Sequence, residues 1–188
     1  YNIKKFIHIS TDEVYGELPR DKGIKFTEES PLRGKSPYSA SKAGADHLVQ
    51  AFIKTYELPA VIIRASNNYG PWQYPEKLIP LTIAKAIGNE KIPVYGDGRN
   101  VRTWLYVEDF TGAVLSILEK GKIGEIYNIG SNEEKENIDV IKKILALLGK
   151  GEDLMEFVPD RPGHDLRYSL DTSKVERETG WKARTSFD

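Results

Sequence analysis

The residues best suited to chemistry fall in two short stretches. In Tyr38-Ser-Ala-Ser-Lys42 a phenol and an ammonium stand four residues apart, and in Thr11-Asp12-Glu13 a hydroxyl is followed by two adjacent carboxylates. A tyrosine with its ordinary pKa of about 10 is a poor base at neutral pH. A neighbouring cation favours the phenolate, and each tenfold gain in its population corresponds to about 1.4 kcal/mol. On a helix, residues four apart share a face, so the spacing places Lys42 beside Tyr38. The same spacing also fits an ordinary solvated helix face. The carboxylates follow an apolar, β-branched run from Lys4 to Ser10 that reads as a buried strand. Ligands of open α/β sheets bind outside the carboxyl ends of such strands. Two adjacent carboxylates at a strand end, followed by a helix carrying Tyr and Lys, suit a reaction site.

The positioning elements follow from punctuation and period. Ser36-Pro37 is a cap followed by a residue already set to helical φ. Ala40, Ala43, Ala45, Leu48, Ala51 and Phe52 then recur at helical intervals to about Tyr56, where Leu58-Pro59 stops the helix. Gly16 to Pro37 is a polar loop, with Glu28 and Glu29 solvated on it. Ala60 to Ala65 is a second buried strand, and the Asn67-Asn68 pair after it suits a turn. Trp72 to Glu76 reads as a loop, Lys77 to Ile87 as a helix disturbed by Pro80 and stopped at Gly88, and Ile92 to Tyr95 as a short strand. Val101 to Val107 alternates charge with apolar bulk as a strand, followed by a helix to Lys120 and a strand over Glu125 to Ile129. Asn137 caps a helix to Leu148, Met155 to Val158 is a strand, Pro159 to Asp165 is a charged run, and Asp171 caps a last short helix. Tyr95 is placed either in the core or stacked on a nucleobase.

Composition narrows the class. The 188 residues carry a net charge of −1, 39% apolar and 29% charged residues, which suits one globular core and gives no field for nucleic acid or a membrane surface. No apolar run approaches the roughly 20 residues of a membrane helix, no signal-peptide pattern opens the chain, and a cytoplasmic location is expected. There are no cysteines, and His8, His47 and His164 are scattered, so no metal site is predicted. No glycine-rich phosphate cradle follows a strand and opens a helix. The chain alone is therefore expected to hold NAD weakly or not at all, and to be a piece of a longer catalytic unit.

Ser10-Thr-Asp-Glu-Val-Tyr-Gly16 with Tyr38-Ser-Ala-Ser-Lys42 resembles the extended short-chain dehydrogenase/reductase family, in its dTDP-glucose 4,6-dehydratase branch. Ser66-Asn-Asn-Tyr-Gly-Pro71 and Arg161-Pro-Gly-His-Asp165 fit that branch too. The resemblance implies an α/β fold: the C-terminal part of a doubly wound parallel sheet (1–66 and 100–130) interleaved with a small nucleotide-sugar-binding domain (67–99 and 131–188). It implies NAD held by Ser10, Tyr38, Lys42 and Asn68. The sugar nucleotide would be met by Thr11, Asn67, Glu76, Lys77, Leu78, Pro93, Tyr95 and Asn137, with Arg102, Arg161 and His164 as a diphosphate clamp. The implied reaction is dehydration of dTDP-glucose by a homodimer. Tyr38 removes the C4 hydroxyl proton while hydride passes to NAD, Thr11 bonds the same oxygen, Glu13 takes the C5 proton, and Asp12 protonates the departing C6 hydroxyl. A 4-epimerase or UDP-glucuronate decarboxylase would share Tyr38 and Lys42 but needs no acid for a C6 hydroxyl. A non-catalytic sugar-nucleotide-binding or interaction module is the alternative from another class.

Overall fold

The computed structural model describes residues 3–20 and 23–188. In chain order the elements are β1 (Phe6–Thr11), α1 (Pro37–Tyr56), β2 (Ala60–Ala65), β3 (Asn67–Tyr69), α2 (Leu78–Ile87), β4 (Ile92–Tyr95), β5 (Val101–Tyr106), α3 (Val107–Lys120), β6 (Ile126–Ile129), β7 (Glu134–Glu136), α4 (Asn137–Leu147), β8 (Met155–Val158) and α5 (Ser173–Thr179). Short 3-10 turns occupy Asp12–Tyr15 and Glu152–Leu154.

A parallel sheet in the order β1-β2-β6 carries the site. Its register sets Ile9 against Ile63 and Thr11 against Ala65. The middle strand β2 is buried at all six positions, which is why Ala-Val-Ile-Ile-Arg-Ala shows no alternation. Val61, Ile63, Leu105, Ile117, Tyr127 and Ile129 form the main core, closed by Val175 of α5. The outer strand β1 leaves Phe6 and Ile9 each 41% exposed.

A second sheet, β3-β5-β7, pairs β3 with β5 in parallel and β5 with β7 antiparallel, while β4 and β8 form a separate parallel pair. Strand β5, within the expected 100–130 segment, pairs with β3 and β7, and Val101 also bridges to Arg167. Its alternation serves two cores. Leu105 joins the main core, whereas Trp104 packs on Val140 and Ile144 of α4. α2 and α4 close over Ala86, Ile92, Val94, Ile141 and Leu145.

Several local expectations are corrected. The Asn67-Asn68 pair lies in strand β3 rather than a turn. Pro80 is the third residue of α2, where no intrahelical donor is lost. Asn137 is the first residue of α4, which Glu136 caps without a side-chain bond. Thr172, not Asp171, occupies the cap of α5, although Asp171 accepts from the Ser173 amide at 2.8 Å. Glu28 is half-buried, with Oε1 accepting from the Asn128 amide at 2.9 Å. On α1 only Ser39 and Asp46 are buried, and the apolar positions Leu48 and Phe52 point outward with Tyr56.

Candidate active site

The carboxylates sit where β1 stops. Thr11 ends the strand in extended geometry and caps the 3-10 turn, its Oγ1 accepting from the Glu13 amide at 3.3 Å. The same hydroxyl donates to Asp12 Oδ1 at 3.3 Å. Gly16 closes the turn at φ +80°, and a Cβ there would lie 2.6 Å from the Arg33 carbonyl oxygen. Any side chain would therefore force the turn away from the loop that backs it.

Asp12 is 2% exposed, and its Oδ2 has no partner among the described residues. Burial first, and then the Glu13 charge, raise its carboxyl to about 7, with Arg102 and the Thr11 bond opposing. Glu13 is half-buried and faces the cleft; burial raises its pKa, Asp165 adds to the rise, and Arg102 opposes it. Asp12 can therefore keep its proton near neutral pH, beside a second carboxyl whose pKa is also raised.

Tyr38 lies in the first turn of α1, which a reciprocal Ser36–Ser39 capping box fixes: the Ser39 amide donates to Ser36 Oγ and the Ser36 amide to Ser39 Oγ, both at 3.0 Å. The expected lowering of Tyr38 by Lys42 is not found. Burial and the Glu13 charge raise the phenol, with the Thr11 hydroxyl opposing, while Lys42 Nζ donates to the Ile9 carbonyl at 2.7 Å. Lys42 therefore pins α1 to the end of β1.

Ser10 Oγ and Asn68 Oδ1 are buried without partners among the described residues. Ser10 lies near the C-terminal end of β1 and Asn68 in β3, just past the end of β2. Two orphaned acceptors, one also a donor, fit the hydroxyl and amide groups of a nicotinamide nucleoside.

A cleft of about 640 Å³ opens beside the turn. Its walls bring together Asn67, Glu76, Lys77, Leu78, Pro93, Tyr95, Arg102, Asn137, Arg161 and His164 with Glu13, from segments spread over most of the chain. Thr11 stands outside the lining, two residues from Glu13. Asn137 Oδ1 is buried and unpartnered among the described residues. Arg102 is 7% exposed and stacks over Tyr168 at 4.4 Å, its Nη2 donating to the Asp165 carbonyl at 2.9 Å. Arg161 lies 4.9 Å over the Tyr95 ring, so Tyr95 is a cleft residue.

His164, expected in the diphosphate clamp, is engaged by its own loop. Its Nδ1 is 2.7 Å from Asp160 Oδ1 and its Nε2 is 2.9 Å from Arg161 Nη2. Burial lowers its pKa, so the neutral ring donates to the carboxylate and accepts from the guanidinium. It orients Arg161. The sequence reading also missed Asp165, Tyr168, Gln73 and Trp104, all on the cleft wall. The one available signal was the run Arg161-Pro-Gly-His-Asp165, which ends on Asp165.

A parallel sheet whose strand ends carry the carboxylates, with a Tyr-x-x-x-Lys helix pinned to them, defines a Rossmann-type α/β protein of the short-chain dehydrogenase/reductase class. The chain belongs to the GDP-mannose 4,6 dehydratase family, whose model matches residues 1–188. It is 52% identical to the dTDP-glucose 4,6-dehydratase of Haemophilus influenzae, covering 98% of this chain and 57% of that one. Among solved structures it is similar to the dTDP-glucose 4,6-dehydratase of Bacillus anthracis in complex with NAD, at 50% identity and a TM-score of 0.92, over 97% of this chain and 58% of that one. The UDP-glucuronic acid 4-epimerase of Bacillus cereus gives a TM-score of 0.93 at 30% identity, over 99% and 58%. Backbone shape therefore does not separate dehydratase from epimerase, whereas sequence identity is higher to the dehydratase. The chain spans somewhat more than half the length of these relatives.

Proposed function

We propose that the protein containing this chain converts dTDP-glucose to its 4-keto-6-deoxy product by NAD-assisted oxidation, elimination and reduction. The observation that carries this reading is Asp12, a buried carboxyl lifted to about 7 beside Glu13. An epimerase or decarboxylase has no leaving C6 hydroxyl to protonate, whereas dehydration requires an acid for it.

Tyr38 accepts the C4 hydroxyl proton, with Thr11 bonding the same oxygen. NAD, when bound, would supply the two-electron acceptor and donor. Ser10, Asn68, Tyr38 and Lys42 hold it. Once C4 is a ketone the C5 proton is acidic; Glu13 removes it and Asp12 protonates the leaving hydroxyl. Asn67, Arg102 and Arg161 bind the diphosphate, their guanidinium forks matching phosphate oxygens. Tyr95 stacks on the base. The protein acts as a homodimer, supported by the outward apolar face of α1 at Leu48, Phe52 and Tyr56.

The test is turnover of dTDP-glucose by the purified protein with NAD. Asp12→Asn should slow elimination by about 10²- to 10⁴-fold while a reduced-nicotinamide transient still appears. Glu13→Gln should abolish exchange of the C5 proton with solvent. Wild-type turnover in either variant overturns the assignment.

A further inference from the structure

Behind the acid–base turn lies a polar cluster that no step above uses. Arg64 on β2 is 2% exposed and Asp46 on α1 fully buried, with Arg64 Nε donating to Asp46 Oδ2 at 2.8 Å. His8 Nε2, on β1, is 3.2 Å from the other Asp46 oxygen. Arg64 Nη1 donates to the Tyr15 hydroxyl at 2.9 Å, and Tyr15 donates in turn to Asn128 Oδ1 on β6 at 2.8 Å. Asn128 Nδ2 donates to the Phe26 carbonyl at 3.1 Å.

Stability does not explain the arrangement. Burying two ions costs several kcal/mol each, and apolar residues of similar volume often serve as well. Such a network does fix geometry, because Arg64 is held at once by Asp46, the Tyr15 hydroxyl and the Glu28 carbonyl. Two of its members sit on the two elements the chemistry must hold in register. Tyr15 is the last residue of the turn that opens with Asp12, and Asp46 lies on α1 eight residues after Tyr38. One guanidinium joins them.

We propose that Tyr15 is a positioning residue: through Arg64 and Asn128 it holds the Asp12–Glu13 turn at a set separation from the Tyr38 helix, so that elimination follows oxidation without rearrangement. This rests on the dehydratase reading. Tyr15→Phe keeps the ring stacked on Phe26, centroids 4.9 Å apart, and removes the hydroxyl alone. α1 remains tied to Arg64 through Asp46. Oxidation at C4 should therefore stay near the wild-type rate with an unchanged KM. Elimination should slow by about 10²-fold, the cost of an ångström-scale misplacement, so that the oxidised sugar and reduced nicotinamide accumulate in a single turnover. Water reaching the loosened turn should also move the alkaline limb of elimination to lower pH, with Glu13 and Arg102, the charges acting on Asp12, left in place.

Asn128→Ala, which removes the acceptor instead, should give the same split. Equal losses in both half-reactions, or none in either variant, overturn the proposal. Failure of both variants to fold would make the cluster a folding determinant and overturn it too. A wild-type protein inert toward dTDP-glucose defeats the functional reading itself, and this inference with it.

Discussion

At Asp12 burial and the Glu13 charge act in the same direction, and the consequence reaches stability as well as chemistry. The unfolded carboxyl titrates near 3.8 and the folded one at about 7, so the folded state binds the proton more tightly. That contribution is complete below pH ~4 and is lost as pH rises to ~7, by about 4 kcal/mol at most, since each tenfold difference in proton affinity is worth about 1.4 kcal/mol. Asn at this position has no charge to bury. The melting temperature of Asp12→Asn should exceed that of wild type by a margin that grows from pH ~4 to ~7 and then levels; melts at acid and alkaline pH check it, and a margin flat in pH would mean a hydrated carboxylate. The paired carboxylates were legible in the sequence, since adjacency and a strand end both follow from it. The state of Tyr38 was not. Spacing sets Lys42 on the same face but does not reveal that the Ile9 carbonyl takes its ammonium, nor that Glu13 faces the phenol. The types Arg161 and His164 were likewise readable, while the tautomer of His164 depends on Asp160 being within reach.

Among elements, α1 was the clearest in the sequence and also the most misleading. Ser36-Pro37 fixed its start, because cap chemistry is local. The apolar period that traced its length did not say which side faces inward, and the side with Leu48 and Phe52 faces out. Strand β5 hid the reverse ambiguity: alternation of charge and bulk normally means one wet face, but here Arg102 and Trp104 are buried on one side and Leu105 on the other. The three-residue strand β7, all charged, carries no pattern that periodicity can detect. Because Tyr38 sits one residue inside the start of α1, the cap bears on catalysis directly. Ser36→Ala should cost about 1 kcal/mol of stability and should slow C4 oxidation while leaving elimination from a pre-oxidised sugar unchanged. Unfolding in denaturant and stopped-flow absorbance measure the two parts, and equal slowing of both steps would deny α1 this local role.

For the whole molecule, the order β1-β2-β6 puts the fully buried strand in the centre and leaves β1, among the described residues, paired on one side only. Phe6 and Ile9 are exposed on its opposite faces. An unpaired, apolar strand of this kind invites association, so the purified 188-residue chain should self-associate with rising concentration, and Phe6→Lys should weaken this. Light scattering after gel filtration decides, and a monodisperse monomer throughout would refute it. The same topology constrains how the chain is made. The central strand finds β1 just over fifty residues behind it in sequence but must wait for β6, which ends at Ile129. Tyr15 meets Asn128 across 113 positions. During synthesis, which runs from the N-terminus, the segment bearing Asp12 and Glu13 emerges before β6, and it lacks its bracing at Asn128 until that strand has followed. A nascent chain thus carries its paired carboxylates before their brace, which arrives late, with the closing of the sheet.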